Sequence, residues 1–468
     1  MNILHVSAEC YPAAKVGGLA DVVGALPKYQ NRIGHTARVV MPFYKTEYLQ
    51  RVDGVSVFQH NLVMSNITYF AEVFKVQDAD LGYDLFVVRA QGLTDRKEVY
   101  GYHDDALRFM AFQRVVLQWV ISEKLPDIVH CHDHHTGLIP FMMGHTETFK
   151  KLKKTPSILS IHNAQYQGQF PHTLGGILPE FDANDLGLID WAGMINPLAA
   201  AIKCAWRVTT VSPSYMVELQ EKANGLEWLL DNEKAKCIGI LNGIDAESWD
   251  PATDEYLHYN YTTRTRKSGR AKNKAQLCVD FKLDATKPLF GFIGRLVWEK
   301  GADVLPEAIE RAVQLYDINV ILLGSGDPEV ENRIKMLANA YPEKFSAYIG
   351  YKESMSHHVY SGADFLLMPS RVEPCGLNQL YSLRYGCMPI VRKTGGLKDT
   401  VIDIKDGGLG IVHDDTSVSD IVNSIGRAIE VYKNQKVFTN LQKKMMEVDH
   451  SWENAARNYE SVYSQIKA

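Results

Sequence analysis

The sequence predicts an α/β protein with two doubly wound, Rossmann-like domains, and three observations support this prediction. First, 468 residues exceed the roughly 250–300 residues that one hydrophobic core usually supports. Second, short apolar runs alternate with longer helical patterns along the whole chain. Third, most of these apolar runs are continuous, as expected of parallel strands that are buried on both faces.

The individual elements follow from these patterns. The predicted strands are Asn2–Ala8, Ala37–Met41, Leu85–Val88, Ile128–His130, Ser157–Ile161, Val208–Val211, Ile238–Leu241, Leu289–Ile293, Val320–Leu323, Ala347–Ile349, Phe365–Met368 and Met388–Val391. The clearest helical patterns between them are Ala20–Tyr29, Ala106–Glu123, Ala302–Tyr316, Glu329–Ala340 and Ile421–Tyr432.

The domain boundary is predicted just after Leu241–Asp245, because a polar, basic stretch, Tyr259–Lys274, precedes the next buried strand. The first domain is then 1–245 and the second 246–450. Ser451 can cap a final amphipathic helix within 451–468. Since open α/β sheets bind ligands at the carboxyl ends of their strands, we expect the active site in a deep cleft between the domains.

Charge and composition exclude several classes of partner. The formal net charge is −5 and the sequence pI about 6.4, which disfavours binding to nucleic acid or to an anionic membrane. No apolar run approaches the roughly 18–20 residues that cross a bilayer. A strand-like run already begins at Asn2, and the seven cysteines form no CxxC pair. We therefore expect no signal peptide, a reducing compartment and a cytoplasmic protein.

The first candidate motif is Lys15-Val16-Gly17-Gly18-Leu19, directly after the first strand and at the start of a helix. Glycines let the backbone approach a ligand, and a helix N-terminus offers N–H groups to a phosphate. Lys15 adds a cation. The alternative is an ordinary strand–helix turn in which the glycines serve only the backbone geometry.

The second motif runs from Gly294 to Gly301 and again follows a buried strand. Arg295 can bind two phosphate oxygens with its planar guanidinium, and Lys300 supplies a point charge. Both suit a leaving diphosphate, whose negative charge grows as its bond to a sugar breaks. The alternative is a pair of solvated surface cations.

The third motif is Pro369–Leu380, in which a buried strand runs into a loop that carries Glu373. A carboxylate can accept hydrogen bonds from two neighbouring sugar hydroxyls, and the following helix start can hold phosphate oxygens. A second glycine turn, Thr394-Gly395-Gly396-Leu397, can serve the same anion. The alternative role of Glu373 is to cap the helix.

Histidines are concentrated in His130-Cys131-His132-Asp133-His134-His135, at the end of a predicted strand. Three of them could ligate zinc, which leaves a zinc hydrolase as an alternative function. The favoured interpretation is that these polar groups meet sugar hydroxyls. His162, just after the next strand, can bond a sugar hydroxyl or shield positive charge on the sugar ring.

Asp78-Ala79-Asp80 matches the D-x-D pattern that binds a divalent metal in another class of glycosyltransferase. It lies between two strand-like runs, Phe70–Val76 and Leu85–Val88. A hairpin turn explains this position better, and we predict no metal there.

Taken together, these motifs resemble those of the bacterial glycogen synthase and plant starch synthase family, whose members are retaining glucosyltransferases with the GT-B fold. The resemblance covers essentially the whole chain in order. It is carried by His5-Val6, Lys15–Leu19, His132-Asp133, His162-Asn163, Tyr166–Gly168, Leu241–Asp245, Arg295-Leu296, Lys300-Gly301, Gly350-Tyr351, Glu373–Leu377, Thr394–Leu397 and Ser451–Ala456.

The resemblance implies transfer of glucose from ADP-glucose to the non-reducing end of an α-1,4-glucan such as glycogen, with retention of configuration and no metal cofactor. It also implies that the last helix crosses back to the first domain. The residues that it assigns to catalysis are Glu373, His162, Asp133, Lys300 and Arg295. The residues that it assigns to the donor are Lys15, Gly17, Gly18, Asn242, Arg295, Lys300, Tyr351 (stacked on adenine), Cys375, Gly376, Leu377, Gly395 and Gly396.

Some positions depart from the family pattern. His134 stands where the family commonly has Trp, Ala164 where it has Leu, and Gly294 and Glu299 differ from its usual S-R-L-x-x-Q-K-G motif. These departures leave the preference for ADP-glucose over UDP-glucose open. Further alternatives are another GT-B enzyme that uses UDP-glucose, and a non-catalytic glucan-binding module. The oligomeric state is not specified by the sequence.

Overall fold

A computed structural model of the protein describes residues 1–467 and divides them into two compact units. The first unit is Met1–Leu241 together with the C-terminal segment that begins at Trp452. The second unit is Asn242–Ser451. The boundaries predicted from the sequence lie after residues 245 and 450.

The first unit is built on a nine-stranded sheet in the order β11-β10-β7-β6-β1-β2-β5-β4-β3. All pairs are parallel except β3–β4 and β4–β5. The strands are β1 (Asn2–Val6), β2 (Thr36–Pro42), β3 (Gly54–Met64), β4 (Ile67–Val76), β5 (Asp84–Ala90), β6 (Ile128–His132), β7 (Ser157–Ile161), the separate pair β8 (Asp190–Trp191) and β9 (Met194–Ile195), β10 (Arg207–Thr210) and β11 (Cys237–Gly239).

Helices cover both faces of this sheet. Alternate residues of β1 point to opposite faces, so that Leu4 packs in one apolar core and Ile3 in another. The helices are α1 (Gly18–Arg32), α2 (Glu47–Arg51), α3 (Asp105–Ser122), α4 (Ile139–His145), α5 (Leu186–Ile189), α6 (Pro197–Cys204), α7 (Pro213–Glu221) and α8 (Glu227–Asn232).

The antiparallel edge formed by β3 and β4 is the main departure from the predicted elements. Most residues of β3 are exposed to solvent. The strand therefore lacks the continuous apolar run that is typical of a strand buried on both faces. β4 pairs antiparallel with β5, and the connection between them contains Asp78 and Asp80. The predicted hairpin turn at this position is confirmed. Asp78 accepts hydrogen bonds there from the Tyr48 hydroxyl and the Asp80 N–H.

The second unit contains a fully parallel six-stranded sheet in the order β14-β13-β12-β15-β16-β17. Apolar cores lie on both of its faces, which confirms the predicted α/β class. The elements are α9 (Arg266–Phe281), β12 (Leu289–Ile293), α10 (Leu305–Leu315), β13 (Asn319–Gly324), α11 (Pro328–Ala340), β14 (Phe345–Ile349), α12 (Glu353–Gly362), β15 (Phe365–Met368), α13 (Asn378–Tyr385), β16 (Met388–Arg392), α14 (Gly395–Thr400), β17 (Ile411–His413), α15 (Val418–Lys433) and α16 (Gln435–Met446).

The final helix, α17 (Trp452–Lys467), belongs to the first unit. Its buried face, which includes Trp452, Tyr459 and Tyr463, packs with Val22 and Leu26 of α1 in one apolar core. The far end of the chain therefore completes a face of the first sheet. None of the helices within residues 1–467 combines the length and the apolar character that a membrane span needs.

Candidate active site

The candidate residues of the first unit follow three neighbouring parallel strands. β7, β6 and β1 are adjacent, so the loops after them leave the same edge of the sheet. Lys15, Gly17 and Gly18 follow β1, Asp133 follows β6 and His162 follows β7. The sheet order therefore brings together residues that are far apart in the sequence.

Asp133 is a buried carboxylate that holds the start of the next loop. Its Oδ1 accepts hydrogen bonds from the backbone N–H groups of His162, at 2.7 Å, and Asn163, at 3.4 Å. Burial raises the pKa of Asp133 to about 7, and these two N–H groups oppose the rise. Its backbone has φ 56°, in the left-handed region that a non-glycine residue rarely adopts. Such strain is typical of functional positions.

His162 is buried and uncharged at neutral pH. Burial lowers its pKa to about 3, because the surroundings disfavour the imidazolium form. Its Nε2 lies 3.0 Å from Nδ1 of His132, so one ring nitrogen is fixed by a neighbouring ring. A neutral His162 can hydrogen-bond a ligand, but it does not carry a positive charge at neutral pH.

The glycine turn after β1 is held by Glu9, a residue that the sequence analysis missed. Glu9 Oε2 accepts from the N–H groups of Val16, at 2.5 Å, and Gly17, at 3.0 Å, and its Oε1 accepts from the Tyr100 hydroxyl at 2.5 Å. A carboxylate thus already takes two N–H groups of the turn that we had assigned to a phosphate. The hydrogen bond from Tyr100 to Glu9 depends on the tertiary fold, because Tyr100 lies 91 positions away in the sequence.

The conformation of Gly17 and Gly18 gives no intramolecular reason for glycine. Neither residue has a positive φ, and a Cβ added at either would meet nothing within 4 Å. Lys15, beside them, forms an ion pair with Asp21 at 2.6 Å. The open space above the turn is suited to the close approach of a ligand.

In the second unit, Lys300 and Glu373 contact each other directly. Lys300 Nζ lies 2.6 Å from Glu373 Oε2, and Ser370 Oγ donates to the same oxygen at 2.9 Å. Glu373 is buried, while Lys300 is partly exposed. The loops after β12 and β15, which are neighbouring strands, supply these groups. Arg295, from the first of these loops, is exposed.

The second glycine turn packs tightly against the Glu373 loop. Gly395 has φ 43°, and a Cβ added there would lie 2.1 Å from the Glu373 carbonyl oxygen. At Gly396 the added Cβ would lie 2.2 Å from the Cys375 carbonyl oxygen, and the Gly396 N–H donates to the Glu373 carbonyl at 3.1 Å. These glycines are required by the fold itself, and they bring the start of α14 beside Glu373.

The loop after Glu373 leads into α13. Gly376 has φ 72°, in the left-handed region, and Leu377 is the residue before the first turn of the helix. Burial raises the pKa of the Cys375 thiol to about 12, so this cysteine is not a thiolate at neutral pH. Asn242 packs nearby, with its backbone N–H directed at the thiol. Within residues 1–467 the buried Oδ1 of Asn242 has no hydrogen-bond partner.

Tyr351 follows β14 and is 68% exposed. An exposed aromatic face at the carboxyl end of a strand can stack on a nucleobase. The structure places Tyr351 on the same unit as Arg295, Lys300 and Glu373.

The histidine cluster forms a hydrogen-bonded chain in the core. His5, His130 and His132 bring nitrogen atoms within 4.8 Å of one another, close enough for a metal ion. However, all six of their ring nitrogens are already hydrogen-bonded, to one another or to Gln30, Ser160, His162 and Tyr463. A zinc ion could bind only by breaking these bonds, so the geometry does not favour the zinc alternative.

Comparison with known proteins gives full-length matches. A family model described as the starch synthase catalytic domain matches residues 2–232, and one described as glycosyl transferases group 1 matches residues 275–445. The chain is 48% identical over 469 residues to a glycogen synthase from Flavobacterium johnsoniae, covering 100% of this chain and 99% of the relative. It is 36% identical over 484 residues to a glycogen synthase from Streptococcus pneumoniae, covering 100% of both.

Two solved structures also match this chain over nearly its whole length. The catalytic domain of starch synthase IV from Arabidopsis thaliana, bound to ADP and acarbose, matches with a TM-score of 0.90 at 31% identity, covering 100% of this chain and 99% of that one. Sucrose-phosphate synthase from Thermosynechococcus elongatus matches with a TM-score of 0.63 at 16% identity, covering 99% and 98%. The second match bears on the fold alone, which is the predicted GT-B fold.

Proposed function

The chain belongs to the glycogen synthase and starch synthase family, and from this premise we propose that it transfers glucose from ADP-glucose to the non-reducing end of an α-1,4-glucan with retention of configuration. The observation that carries this proposal is full-length similarity combined with the Lys300–Glu373 contact. The bound ADP and acarbose in the Arabidopsis structure support an adenine nucleotide donor and a glucan-like acceptor.

The donor diphosphate is held by cations and lies beside the starts of two helices. Arg295 and Lys300 neutralise its charge as the bond to glucose breaks, and this is where the transition state differs most from the ground state. The helix starts at Gly17-Gly18 and Gly395-Gly396 contribute close approach and the positive ends of two helices. The N–H groups of Gly17 and Gly396 do not take part, because they already donate to Glu9 and to the Glu373 carbonyl. Lys15 is a further cation for the donor.

The nucleoside and the sugar meet separate groups. Tyr351 stacks on the adenine, and the Cys375-Gly376-Leu377 segment shapes the site beside it. Glu373 accepts hydrogen bonds from hydroxyls of the transferred glucose. Its pairing with Lys300 fixes this side chain in position.

His162 and Asp133 act in the first unit. His162 bonds a glucose hydroxyl as a neutral imidazole, and Asp133 holds the His162 backbone. Asn242, of the second unit, offers its unpartnered Oδ1 to the ligand.

The transfer proceeds by attack on the face from which the diphosphate leaves. The bond from glucose C1 to the phosphate oxygen breaks, the acceptor O4 bonds to C1, and the departing phosphate oxygen takes the O4 proton. The protein supplies positioning and charge stabilisation, and no divalent metal is needed. A covalent glucosyl adduct on Glu373 or Asp133 would contradict this mechanism.

The proposal also includes the cellular location and the partners of the protein. All seven cysteines are free thiols, which supports a reducing, cytoplasmic location. The net charge of −5 supports small-molecule and glucan partners over nucleic acid or membrane.

The test is to supply glycogen with ADP-glucose or UDP-glucose and analyse the product by proton NMR. The proposal expects new α-1,4 linkages, made faster from ADP-glucose. Faster transfer from UDP-glucose would correct the donor, and β-linked product would refute retention. Glucan binding without transfer from either donor would favour a non-catalytic binding module.

A further inference from the structure

A chain of buried polar side chains runs from His162 into the core of the first unit. His162 Nε2 lies 3.0 Å from His132 Nδ1, and His132 Nε2 lies 3.0 Å from His5 Nδ1. His5 Nε2 lies 2.7 Å from Gln30 Oε1. His132, His5 and Gln30 are fully buried, so no water competes for these bonds.

Each histidine of this chain carries a single ring proton at neutral pH. Burial lowers the pKa of His5 to about 4 and that of His162 to about 3, and it holds that of His132 well below the usual value. A neutral imidazole donates from one nitrogen and accepts at the other. The direction of one hydrogen bond therefore fixes the tautomers of all three rings.

A second branch of the chain begins at a backbone carbonyl. Thr209 Oγ1 donates to the Leu159 carbonyl at 3.2 Å, so the Ser160 hydroxyl, 2.5 Å from Thr209, must donate to Thr209. Ser160 then accepts from His130 Nε2 at 2.7 Å. This leaves His130 Nδ1 as an acceptor, and the Tyr463 hydroxyl donates to it at 2.8 Å.

Gln30 joins the two branches. Because the Tyr463 hydroxyl gives its proton to His130, it must accept from Gln30, whose Nε2 lies 2.9 Å away. The amide oxygen of Gln30 then faces His5 and accepts from its Nε2. A reversed amide would reverse every bond up to His162.

We propose that Gln30 and Tyr463 are positioning residues that hold His162 as its Nε2–H tautomer, so that His162 Nδ1 accepts a hydrogen bond from a hydroxyl of the transferred glucose. This inference rests on the proposed function, which has His162 contact that sugar. It also gives α17 a role beyond packing, because Tyr463 lies on that helix.

The test compares tautomers and rates in the full chain. Ring nitrogens of ¹⁵N-histidine-labelled protein are observed by long-range ¹H–¹⁵N NMR, and the His162 signals are assigned from a His162→Ala sample. The wild type should show an unprotonated Nδ1 at His162. Tyr463→Phe should give a mixture of tautomers and a fall of about tenfold in kcat, the usual size for one misdirected hydrogen bond.

Two variants serve as controls. Ser464→Ala removes a hydroxyl from an exposed position of the same helix, and it should change neither the tautomer nor kcat. Gln30→Glu keeps an acceptor facing His5, so it should retain the His162 tautomer and more activity than Gln30→Met.

The outcomes separate the two proposals. A protonated Nδ1 in the wild type, or a Tyr463→Phe variant with an unchanged tautomer, would refute the positioning role, and so would a changed tautomer with unchanged kcat. An inactive wild type would instead refute the proposed function and with it any role of His162 towards glucose.

Discussion

Lys300 and Glu373 form an ion pair, with Nζ 2.6 Å from Oε2, although 73 positions separate them in the sequence. The carboxylate is buried and the ammonium partly exposed. A buried carboxylate needs such a partner to remain charged. In the proposed function, the pair fixes an acceptor for sugar hydroxyls beside a cation for the diphosphate.

Lys300→Ala should lower kcat by about 10²–10³-fold, because the variant loses a cation aimed at the charge that develops on the leaving diphosphate. Lys335→Ala is the matched control, since Lys335 makes only a 4.0 Å surface ion pair on α11. Steady-state kinetics on folded samples, verified by circular dichroism, measure the effect. Equal rates for the two variants would contradict the role of Lys300.

The two glycine turns should respond differently to substitution. Gly395→Ala should cost about 2 kcal/mol or more of unfolding free energy, because the added Cβ meets the Glu373 carbonyl in a left-handed backbone. Gly17→Ser should change stability by less than about 0.5 kcal/mol, since serine suits this N-cap position. It should nevertheless raise the donor KM about tenfold by blocking the approach of the diphosphate.

Urea unfolding and donor titration measure these two effects separately. Loss of stability in Gly17→Ser would show that its turn serves the fold. An unchanged donor KM in that variant would remove the turn from the donor site.

Asp133→Asn should change how stability depends on pH. The pKa of Asp133 is about 7 in the folded protein, above its value in the unfolded chain. Between about pH 4 and 7, Asp133 is therefore protonated in the folded state and ionised in the unfolded state. Its contribution to stability is therefore fully present below about pH 4 and is lost as pH rises through 7. Asparagine does not titrate, so the variant should gain stability relative to wild type by up to about 1.4 kcal/mol per pH unit across this window.

Denaturant unfolding of wild type and Asp133→Asn at several pH values between 4 and 8 makes this measurement. Parallel curves for the two proteins would mean that Asp133 is ionised in the folded state at acidic pH.

Tyr351→Ala should reduce the preference for ADP-glucose over UDP-glucose. Loss of an aromatic face should weaken stacking on the larger adenine more than on uracil, and the donor KM should rise about tenfold for ADP-glucose. Tyr351→Phe keeps the ring and should behave as the wild type. Equal effects on both donors would argue that Tyr351 does not contact the base.

The buried parallel strands could be predicted from the sequence, because each is a continuous apolar run with a helical pattern on either side. Ser157–Ile161, Leu289–Ile293 and Phe365–Met368 have the predicted bounds. β3 was missed because an exposed edge strand lacks that pattern.

Contacts between distant residues lie beyond what local patterns encode. The candidate loops were found because each follows a buried strand, but the hydrogen bonds from Val16 and Gly17 to Glu9 depend on how the loop folds. Similarly, the sequence favoured sugar hydroxyls over zinc as partners of His130–His135, and it did not predict that the pairing of β1 with β6 places His5 beside His132 in a buried hydrogen-bonded chain. No local pattern indicates the hydrogen bond between Gln30 and Tyr463, because 433 positions separate these residues.

The most direct test of the proposed glucose transfer is ADP release from ADP-glucose with glycogen as acceptor, in the presence of EDTA, for wild type and Glu373→Ala. We expect rapid, EDTA-insensitive release by the wild type and a loss of about 10²-fold or more in the variant. No release by the wild type, release abolished by EDTA, or full activity in Glu373→Ala would contradict it.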